Sequence, residues 1–183
     1  MLKYALLGFL NYYPATGYEL KHFIDVSTSY FWHAKQSQIY TTLKKMEKED
    51  LVSSRFEPQD GRPNRRVYTI TQPGKDELTA WLEKPLNEIE KHKERLLLKM
   101  FFSAGIGKDV VLSELHQQEK LHKEQLLRYQ NATKEVIDQF KDSTGLSRDA
   151  EFWEMTRRYG ELYEQMNITW LREVILKLEK TGF

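Results

Sequence analysis

Residues 33–70 read HAKQSQIYTTLKKMEKEDLVSSRFEPQDGRPNRRVYTI, and this stretch decides the fold. At about 100° per residue, Ile39, Leu43 and Met46 share one side of a helix predicted from Lys35 to Glu49. The other side carries hydroxyls and lysines, with two larger polar groups on its flanks: Ser37, Thr41, Lys44, Lys45 and Lys48, then Gln38 and Tyr40. The apolar side is expected to pack on a core. The polar side offers the groups that base edges and phosphates bind.

A β-hairpin is predicted after this helix, with strands over Leu51–Phe56 and Arg66–Ile70 that are rich in β-branched and aromatic residues. The connecting tip contains Arg62, Arg65 and Arg66. Gly61 permits a tight turn, and Pro63 keeps the residue before it extended. The sequence therefore predicts a basic loop whose arginines project outward.

The flanking segments complete a recognisable order of elements. A short helix is predicted up to the break at Pro14, and Thr16 with Glu19 forms a capping box that begins a second helix at Gly17. Thr71 caps a fourth helix that ends before Pro85. Three helices followed by two strands indicate a winged helix-turn-helix, in which the third helix enters the major groove and the hairpin forms the wing.

The second half of the chain is predicted to be helical, over Leu86–Ala104, Asp109–Lys141 and Ser147–Glu179. Apolar residues recur there in steps of three and four, as in coiled coils. Two long helices joined by a short polar link favour an antiparallel hairpin, and self-association would cover the stripes that remain. We expect a homodimer whose contacts are Leu126, Tyr129, Phe152, Met155, Tyr159, Leu162, Met166 and Trp170.

The predicted fold class is mainly α. A winged helix-turn-helix of three helices and a two-stranded wing spans residues 1–84, and a long-helix dimerisation domain spans residues 85–183. The 183 residues are 40% hydrophobic and 30% charged, which is ordinary for a globular protein. The absence of cysteine excludes disulfides, a thiolate zinc site and a cysteine nucleophile. Apolar runs are too short for a bilayer, so we expect a cytoplasmic protein with no membrane partner.

The net charge of +1 conceals a local basic surface. Between His33 and Arg66 there are eight basic and five acidic residues, so this segment of the chain is cationic and the remainder slightly anionic. The alternative is an ordinary solvated helix face, since Lys44 and Lys45 stand near Glu47 and Glu49. The arginines of the hairpin tip favour a polyanionic partner.

Other kinds of site receive little support. His116 and His122 lie six residues apart and diverge by about 120° on a helix, so we expect no metal and no cofactor. Phosphate-binding loops and nucleophile elbows are missing, which argues against an enzyme. Trp81, Phe101, Trp153 and Tyr159 could line a pocket for a small aromatic effector. Ordinary packing is the favoured interpretation, because aromatics at helical spacing are usually core.

These motifs, taken in order, resemble those of the PadR-type transcriptional regulators. The resemblance is carried by Thr16-Gly17-Tyr18-Glu19-Leu20, Gln38-Ile39-Tyr40, Leu51-Val52, Gly61-Arg62-Pro63, Arg66-Val67-Tyr68 and Thr71-Gln72-Pro73-Gly74-Lys75. The second half is similar to the virulence activator alpha C-terminal domain. Asp50 stands where the family often has glycine, and aspartate tolerates the left-handed conformation that such a helix end needs.

The resemblance implies a dimeric DNA-binding regulator, usually a repressor, that contacts DNA through the third helix, the start of the second helix and the wing. Carried over to this chain, that interface is Tyr18, Ser37, Gln38, Tyr40, Thr41, Lys44, Arg62 and Arg66, to which we add the neighbouring Lys45 and Arg65. The main hypothesis is a homodimeric repressor on an inverted-repeat operator in double-stranded DNA. The alternatives are an activator of the same family and a protein-interaction module built on a winged-helix scaffold.

Overall fold

The computed structural model describes residues 1–28, 31–59, 62–89 and 93–180, with the backbone alone at Gln59, Arg62 and Pro63. The chain folds into two compact units, Met1–Glu90 and Lys91–Phe183. The boundary expected from the sequence, between residues 84 and 85, stays a prediction. The described chain is mainly helical, and its strands all belong to one small sheet in the first unit.

The first unit has four helices: α1 Leu2–Tyr12, α2 Gly17–Phe23, α3 Gln36–Lys48 and α4 Gln72–Glu83. The capping box at the start of α2 forms as predicted, since the Glu19 N–H donates to Thr16 Oγ1 at 3.2 Å and the Thr16 N–H donates to the Glu19 carboxylate at 2.7 Å. One turn of π-helix, Ile24–Thr28, continues α2. Thr71 caps α4, again as predicted.

The sheet contains β1 Ala15–Thr16, β2 Val52–Gln59 and β3 Arg62–Ile70, antiparallel in the order β1-β3-β2. Two features differ from the sequence prediction. The two residues of β1 add a third strand, and both hairpin strands are longer than expected, so Arg62 and Arg65 also lie in β3 rather than in a loop before it. Glu57 stands directly opposite Arg65, and such a cross-strand pair of opposite charges allows the ladder to continue past the core. The predicted turn residues Asp60 and Gly61 lie outside the described residues.

The core of the first unit fixes the orientation of α3. Ile39, Leu43 and Met46 are at most 1% exposed and pack with apolar residues of α1 and α2, as the periodicity predicted. Each such side chain contributes roughly 1.5–3 kcal/mol by leaving water. The opposite side of the helix is consequently held toward solvent.

The end of α3 is fixed by a Schellman motif. Asp50 has φ of 57°, the Leu51 N–H donates to the Met46 carbonyl at 2.9 Å, and the Asp50 N–H donates to the Glu47 carbonyl at 3.2 Å. The left-handed conformation predicted for Asp50 is confirmed. This motif turns the chain directly into β2, so the wing begins at the end of the third helix.

The second unit contains α5 Arg95–Phe101, α6 Lys108–Arg128, α7 Lys134–Thr144 and α8 Ser147–Lys180. A π-helical turn, Tyr129–Thr133, joins α6 to α7, and Gly145 ends α7 with φ of 72°. The helix predicted from Leu86 is wrong in its first part, because the described residues from Leu86 to Glu94 are not helical. Leu86 and Ile89 are almost fully exposed, so no packing stabilises a helix there.

The helices α6 and α7 run antiparallel to α8, as the short polar link predicted. Contacts that join them progress in opposite directions along the chain, from Arg172 with Glu119 to Arg157 with the Tyr129 carbonyl. Near one end the seam is apolar, with Leu115, Leu171 and Ile175 buried. No helix in the described ranges combines the length and the apolar character that a bilayer crossing needs.

Candidate nucleic-acid interface

The outward side of α3 presents the predicted polar residues to solvent. Its exposed positions include Ser37, Gln38, Tyr40, Thr41, Lys44, Lys45 and Lys48. Because the inner side is fixed in the core, these side chains form a continuous surface about the width of one helix face. A helix presented in this way has the shape and the polarity that a DNA major groove accepts.

Two of these side chains already form hydrogen bonds to the backbone at the start of the helix. Gln38 Oε1 accepts from the Lys35 N–H at 2.9 Å, so the amide nitrogen of Gln38 is the group that points away for donation. The Thr41 hydroxyl donates to the Ser37 carbonyl at 2.9 Å and therefore offers an acceptor outward. The first turns of α3 are thus ordered before any ligand arrives.

Tyr40 links α3 to the start of α2. A Cβ placed on Gly17 would lie 2.6 Å from Tyr40 Cε1, so the ring covers the bare backbone of that glycine. Tyr18, the next residue, is exposed. Both tyrosines were predicted at the interface, whereas the need for glycine at position 17 was not. The signal lay in the Thr-Gly-Tyr sequence, which puts a glycine at the first position of a helix without a turn to explain it.

The lysines of α3 extend from the same side. Lys45 Nζ lies 3.7 Å from Glu49, one helical turn along, in an exposed pair that contributes little to stability. Neither Lys44 nor Lys45 is buried. Both ammonium groups can therefore leave solvent or an exposed ion pair and bind a phosphate with little loss of free energy.

The wing arginines are not simply directed outward, contrary to the prediction. Arg65 donates to Glu57 at 2.7–2.8 Å and lies 3.7 Å from Glu19, while Arg55 donates to the same Glu57 at 2.8–3.0 Å. Hydrogen bonds from Arg55, then Arg65, hold the pKa of Glu57 below its ordinary value. This cluster lies on the side of the hairpin away from α3. The side chain of Arg62 lies outside the described residues.

Arg66 folds back onto α3. It donates from Nη2 to Glu47 at 2.6 Å and from Nε to Ser54 at 2.8 Å, and its guanidinium lies 5.5 Å from the Phe56 ring centre and 5.3 Å from that of Tyr68. The hydrogen bond from Ser54, opposed by partial burial and reinforced by Arg66, keeps the pKa of Glu47 below its ordinary value. Sequence analysis missed Glu47 and Ser54 because their partner is distant in sequence.

The residues predicted for dimerisation fall into two groups. Tyr129 is 2% exposed and belongs to the internal seam, so it cannot also be an intersubunit contact without rearrangement; Leu126 and Trp170 are half-buried. Five others lie along one side of α8 and are 50–63% exposed: Phe152, Met155, Tyr159, Leu162 and Met166. The side of α8 that packs inward instead carries Arg157, Glu161 and Glu164 among its buried residues.

The four rings predicted for an effector have different neighbours within their own units. Trp81 belongs to the first unit and stacks on Tyr4, with ring centres 4.6 Å apart. Trp153 meets Phe140 edge to face, Phe101 meets Phe102, and Tyr159 is exposed on α8. A groove of about 280 Å³ in the second unit is lined by other residues: Gln118, Leu121, His122, Glu124, Gln125, Arg128 and Glu164. Among the described residues, no three or more His, Cys, Asp or Glu side chains gather to hold a metal ion.

Both halves of the chain match known domain families. Residues 6–80 match the transcriptional regulator PadR-like family, and residues 92–179 match the virulence activator alpha C-terminal domain. The negative transcriptional regulator PadR of Bacillus subtilis is 26% identical over 180 residues, 98% of each chain. A probable transcriptional regulator of Mycobacterium tuberculosis is 41% identical over 86 residues, 47% of this chain and 46% of its own length.

Solved structures give the same result. The crystal structure of Bacillus subtilis PadR in complex with operator DNA has a TM-score of 0.83 at 25% identity and covers 97% of this chain and 98% of its own. The same protein in complex with p-coumaric acid has a TM-score of 0.78 at 25% identity, covering 98% and 99%. The Vibrio cholerae virulence activator AphA shares the fold, with a TM-score of 0.74 at 23% identity over the full length of both chains.

Proposed function

This chain belongs to the PadR-like family of transcriptional regulators, and from that premise we propose that it is a homodimeric repressor that binds an inverted-repeat operator. The family is one of DNA-binding regulators and not of enzymes. Such a protein works where the chromosome is, so we propose that it is cytoplasmic.

The observation that carries the proposal is the outward side of α3, a polar and cationic surface backed by a rigid apolar core. The Bacillus subtilis relative, similar over almost its whole length, was crystallised with operator DNA. In this chain Ser37, Gln38 and Thr41 are assigned to base edges. Lys44 and Lys45 are assigned to phosphates, together with Tyr18 and Tyr40 at the junction of α2 and α3 and with Arg62 and Arg65 on the wing.

The proposed dimer rests on α8. Its exposed apolar stripe from Phe152 to Met166 advances in steps of three and four, the pattern that two helices use to pack along each other. The helix has 34 residues and is about 50 Å long, which provides ample length for a paired seam. A two-fold axis through that seam would relate two α3 helices, and this symmetry matches an inverted repeat read in successive major grooves about 34 Å apart.

We also propose that a small aromatic ligand weakens operator binding. The support is the p-coumaric acid complex of the Bacillus subtilis relative. Trp81 lies in the first unit and Phe101, Trp153 and Tyr159 lie in the second, so we assign the ligand no site. Titrating phenolic acids into the operator complex tests it, and an operator affinity unchanged by every aromatic acid would exclude a ligand of this class.

The decisive experiment selects duplexes from a random pool with the purified protein and measures binding of the winning sequence by fluorescence anisotropy. A repressor on an inverted repeat should yield a palindromic winner, two protomers per duplex and lower expression of a reporter placed downstream. Increased expression would favour an activator. Failure to retain any duplex in low salt would favour the protein-interaction alternative.

A further inference from the structure

Three elements of the first unit meet in one closed set of hydrogen bonds. Glu47 lies near the end of α3, Ser54 on β2 and Arg66 on β3. The Ser54 hydroxyl donates to Glu47 at 2.5 Å, Arg66 Nη2 donates to Glu47 at 2.6 Å, and Arg66 Nε donates to Ser54 at 2.8 Å. The set joins the wing directly to the third helix.

Ring contacts complete the surroundings of Arg66. Phe56 stands directly opposite Arg66 in the ladder and Tyr68 opposite Ser54, so both rings lie on the same side of the hairpin as the guanidinium. Their centres are 5.5 Å and 5.3 Å from Arg66 Cζ, within the range of a cation–π contact. The Arg66 side chain is therefore held by hydrogen bonds to Glu47 and Ser54 and by two aromatic rings, and the carboxylate of Glu47 neutralises its charge.

We propose that Arg66 is a positioning residue rather than a phosphate ligand, and that Glu47, Ser54 and Arg66 form a clamp that sets the angle between the wing and the third helix. A fixed angle lets helix and wing engage the duplex in only one register, so the clamp contributes to operator specificity. The inference rests on the proposed DNA-binding function. It also replaces the expectation that Arg66 binds the DNA backbone.

Arg65 provides the contrast within the same hairpin. Its side chain points to the other side, where its nearest partner Glu57 belongs to the neighbouring strand and is shared with Arg55. That cluster joins the two strands of the hairpin, lies 3.7 Å from Glu19 of α2 and includes no residue of α3. The Glu57 side chain is 25% exposed and that of Arg65 is 45% exposed, and ion pairs so open to solvent exchange readily for a phosphate. Arg65, unlike Arg66, is therefore available to DNA.

The substitution Glu47→Gln distinguishes a positioning role of Arg66 from a phosphate-binding role, because the two roles lead to opposite changes in DNA affinity. If the clamp positions the wing, weakening it should lower the ratio of operator to random-duplex affinity by about tenfold, within the range of one mismatched base pair, and leave the salt dependence of binding unchanged. If Arg66 binds phosphate, releasing it from Glu47 should tighten binding to both duplexes and steepen the slope of log affinity against log salt by about one contact.

The measurement is fluorescence anisotropy with the duplex selected by the wild-type protein and a random duplex of equal length, over roughly 50 to 200 mM salt. Glu57→Gln is the matched control, since it frees Arg55 and Arg65 without touching α3; a steeper slope is expected for it. Arg66→Lys should reproduce the effect of Glu47→Gln, because lysine keeps the charge but lacks the planar fork. The two substitutions combined should cost no more than either alone. Melting curves confirm that each variant is folded.

Each result of this experiment either supports the clamp, overturns it, or overturns the proposed DNA-binding function. A lower specificity ratio at constant slope for Glu47→Gln, without additivity in the double variant, supports the clamp. An unchanged ratio, or tighter binding with a steeper slope, overturns it while the regulator itself still prefers its operator. A wild-type protein with no preference for any selected duplex overturns the proposed function first.

Discussion

Replacing Arg157 by methionine should destabilise the second unit strongly, because this side chain holds together a buried charge cluster between α8 and the π-helical turn. Arg157 is 6% exposed. It donates to both oxygens of Glu154 at 2.6 Å, to Glu161 at 2.6 Å and to the Tyr129 carbonyl at 2.8 Å. Methionine has comparable length and no donor, so the substitution removes these bonds without opening a large cavity.

The expected loss in free energy of unfolding follows from the buried groups that lose Arg157 as a partner. Glu161, 5% exposed, keeps Arg158 as a partner but loses the buried guanidinium, and the Tyr129 carbonyl loses a donor. Removing one member of a buried ion pair typically costs about 3–5 kcal/mol, most of it from the charge left without compensation. A loss of that size shifts a urea midpoint by more than 1 M when the denaturant dependence is about 1–3 kcal/mol/M.

Urea unfolding followed by tryptophan fluorescence measures this change, with protein concentration held fixed because a dimer unfolds in a concentration-dependent way. Arg158→Ala is the matched control. Arg158 also donates to Glu161 at 2.6 Å but is exposed, and it should cost below about 1 kcal/mol. The double variant Arg157→Met with Glu161→Leu should recover much of the loss, since apolar replacement of a whole buried pair is often neutral. A loss below about 1 kcal/mol for Arg157→Met, or no recovery in the double variant, would refute the reasoning.

Three further predictions concern the start of α2, the exposed stripe of α8 and the acid response of the Arg157 cluster. Gly17→Ala should weaken operator binding about tenfold by displacing the Tyr40 ring, measured by anisotropy against Gly8→Ala, where a Cβ meets nothing within 4 Å; equal affinities for the two variants would contradict it. Met155→Glu should convert the proposed dimer to a monomer in analytical ultracentrifugation, because it puts a charge in the exposed apolar stripe of α8. Gln117→Glu, at an exposed position of α6, should leave the dimer intact. A Met155→Glu protein that remains dimeric would show that the α8 stripe is not the interface. Burial raises the pKa of Glu161, but hydrogen bonds from Arg158 and Arg157 outweigh this effect and leave the pKa below the ordinary 4.5. The ionised carboxylate therefore stabilises the fold above pH 4.5, and this contribution is lost as the pH falls through the lowered pKa. Urea midpoints measured from pH 7 downward should consequently fall less steeply in Arg157→Met than in the wild type.

Local rules were enough to predict most of the first unit. The α3 faces follow from the spacing of Ile39, Leu43 and Met46, and the helix starts follow from Thr16 and Thr71, whose side chains bond within four residues. Asp50 likewise takes the conformation that its position after a helix demands. Each of these features depends on neighbours in sequence, so the sequence contains the information directly.

The orientation of Arg66 could not be predicted in the same way. Its partner Glu47 is 19 residues away on another element, and the bond exists because a Schellman turn and a particular ladder register bring the two together. A cluster of arginines near a turn has the same appearance in sequence whether its charges are free or already paired. Only the register, which places Phe56 opposite Arg66 and Glu57 opposite Arg65, assigns each arginine to one side of the hairpin.

The same limit explains why the use of α8 was only partly foreseen. The spacing correctly identified an apolar stripe from Phe152 to Met166, but periodicity cannot state which side of a helix meets its own chain. Here the internal side buries Arg157, Glu161 and Glu164, while the apolar side stays exposed. The inner side also buries Leu171 and Ile175 against Leu115 near one end. Buried ion pairs contribute weakly to net stability because desolvation offsets their attraction, so covering the exposed stripe with a second protomer would add a hydrophobic contribution to that of this seam. Folding of the second unit and pairing of the chains should consequently be coupled. An operator that requires two α3 helices would then be bound only by chains whose second unit is already folded and paired.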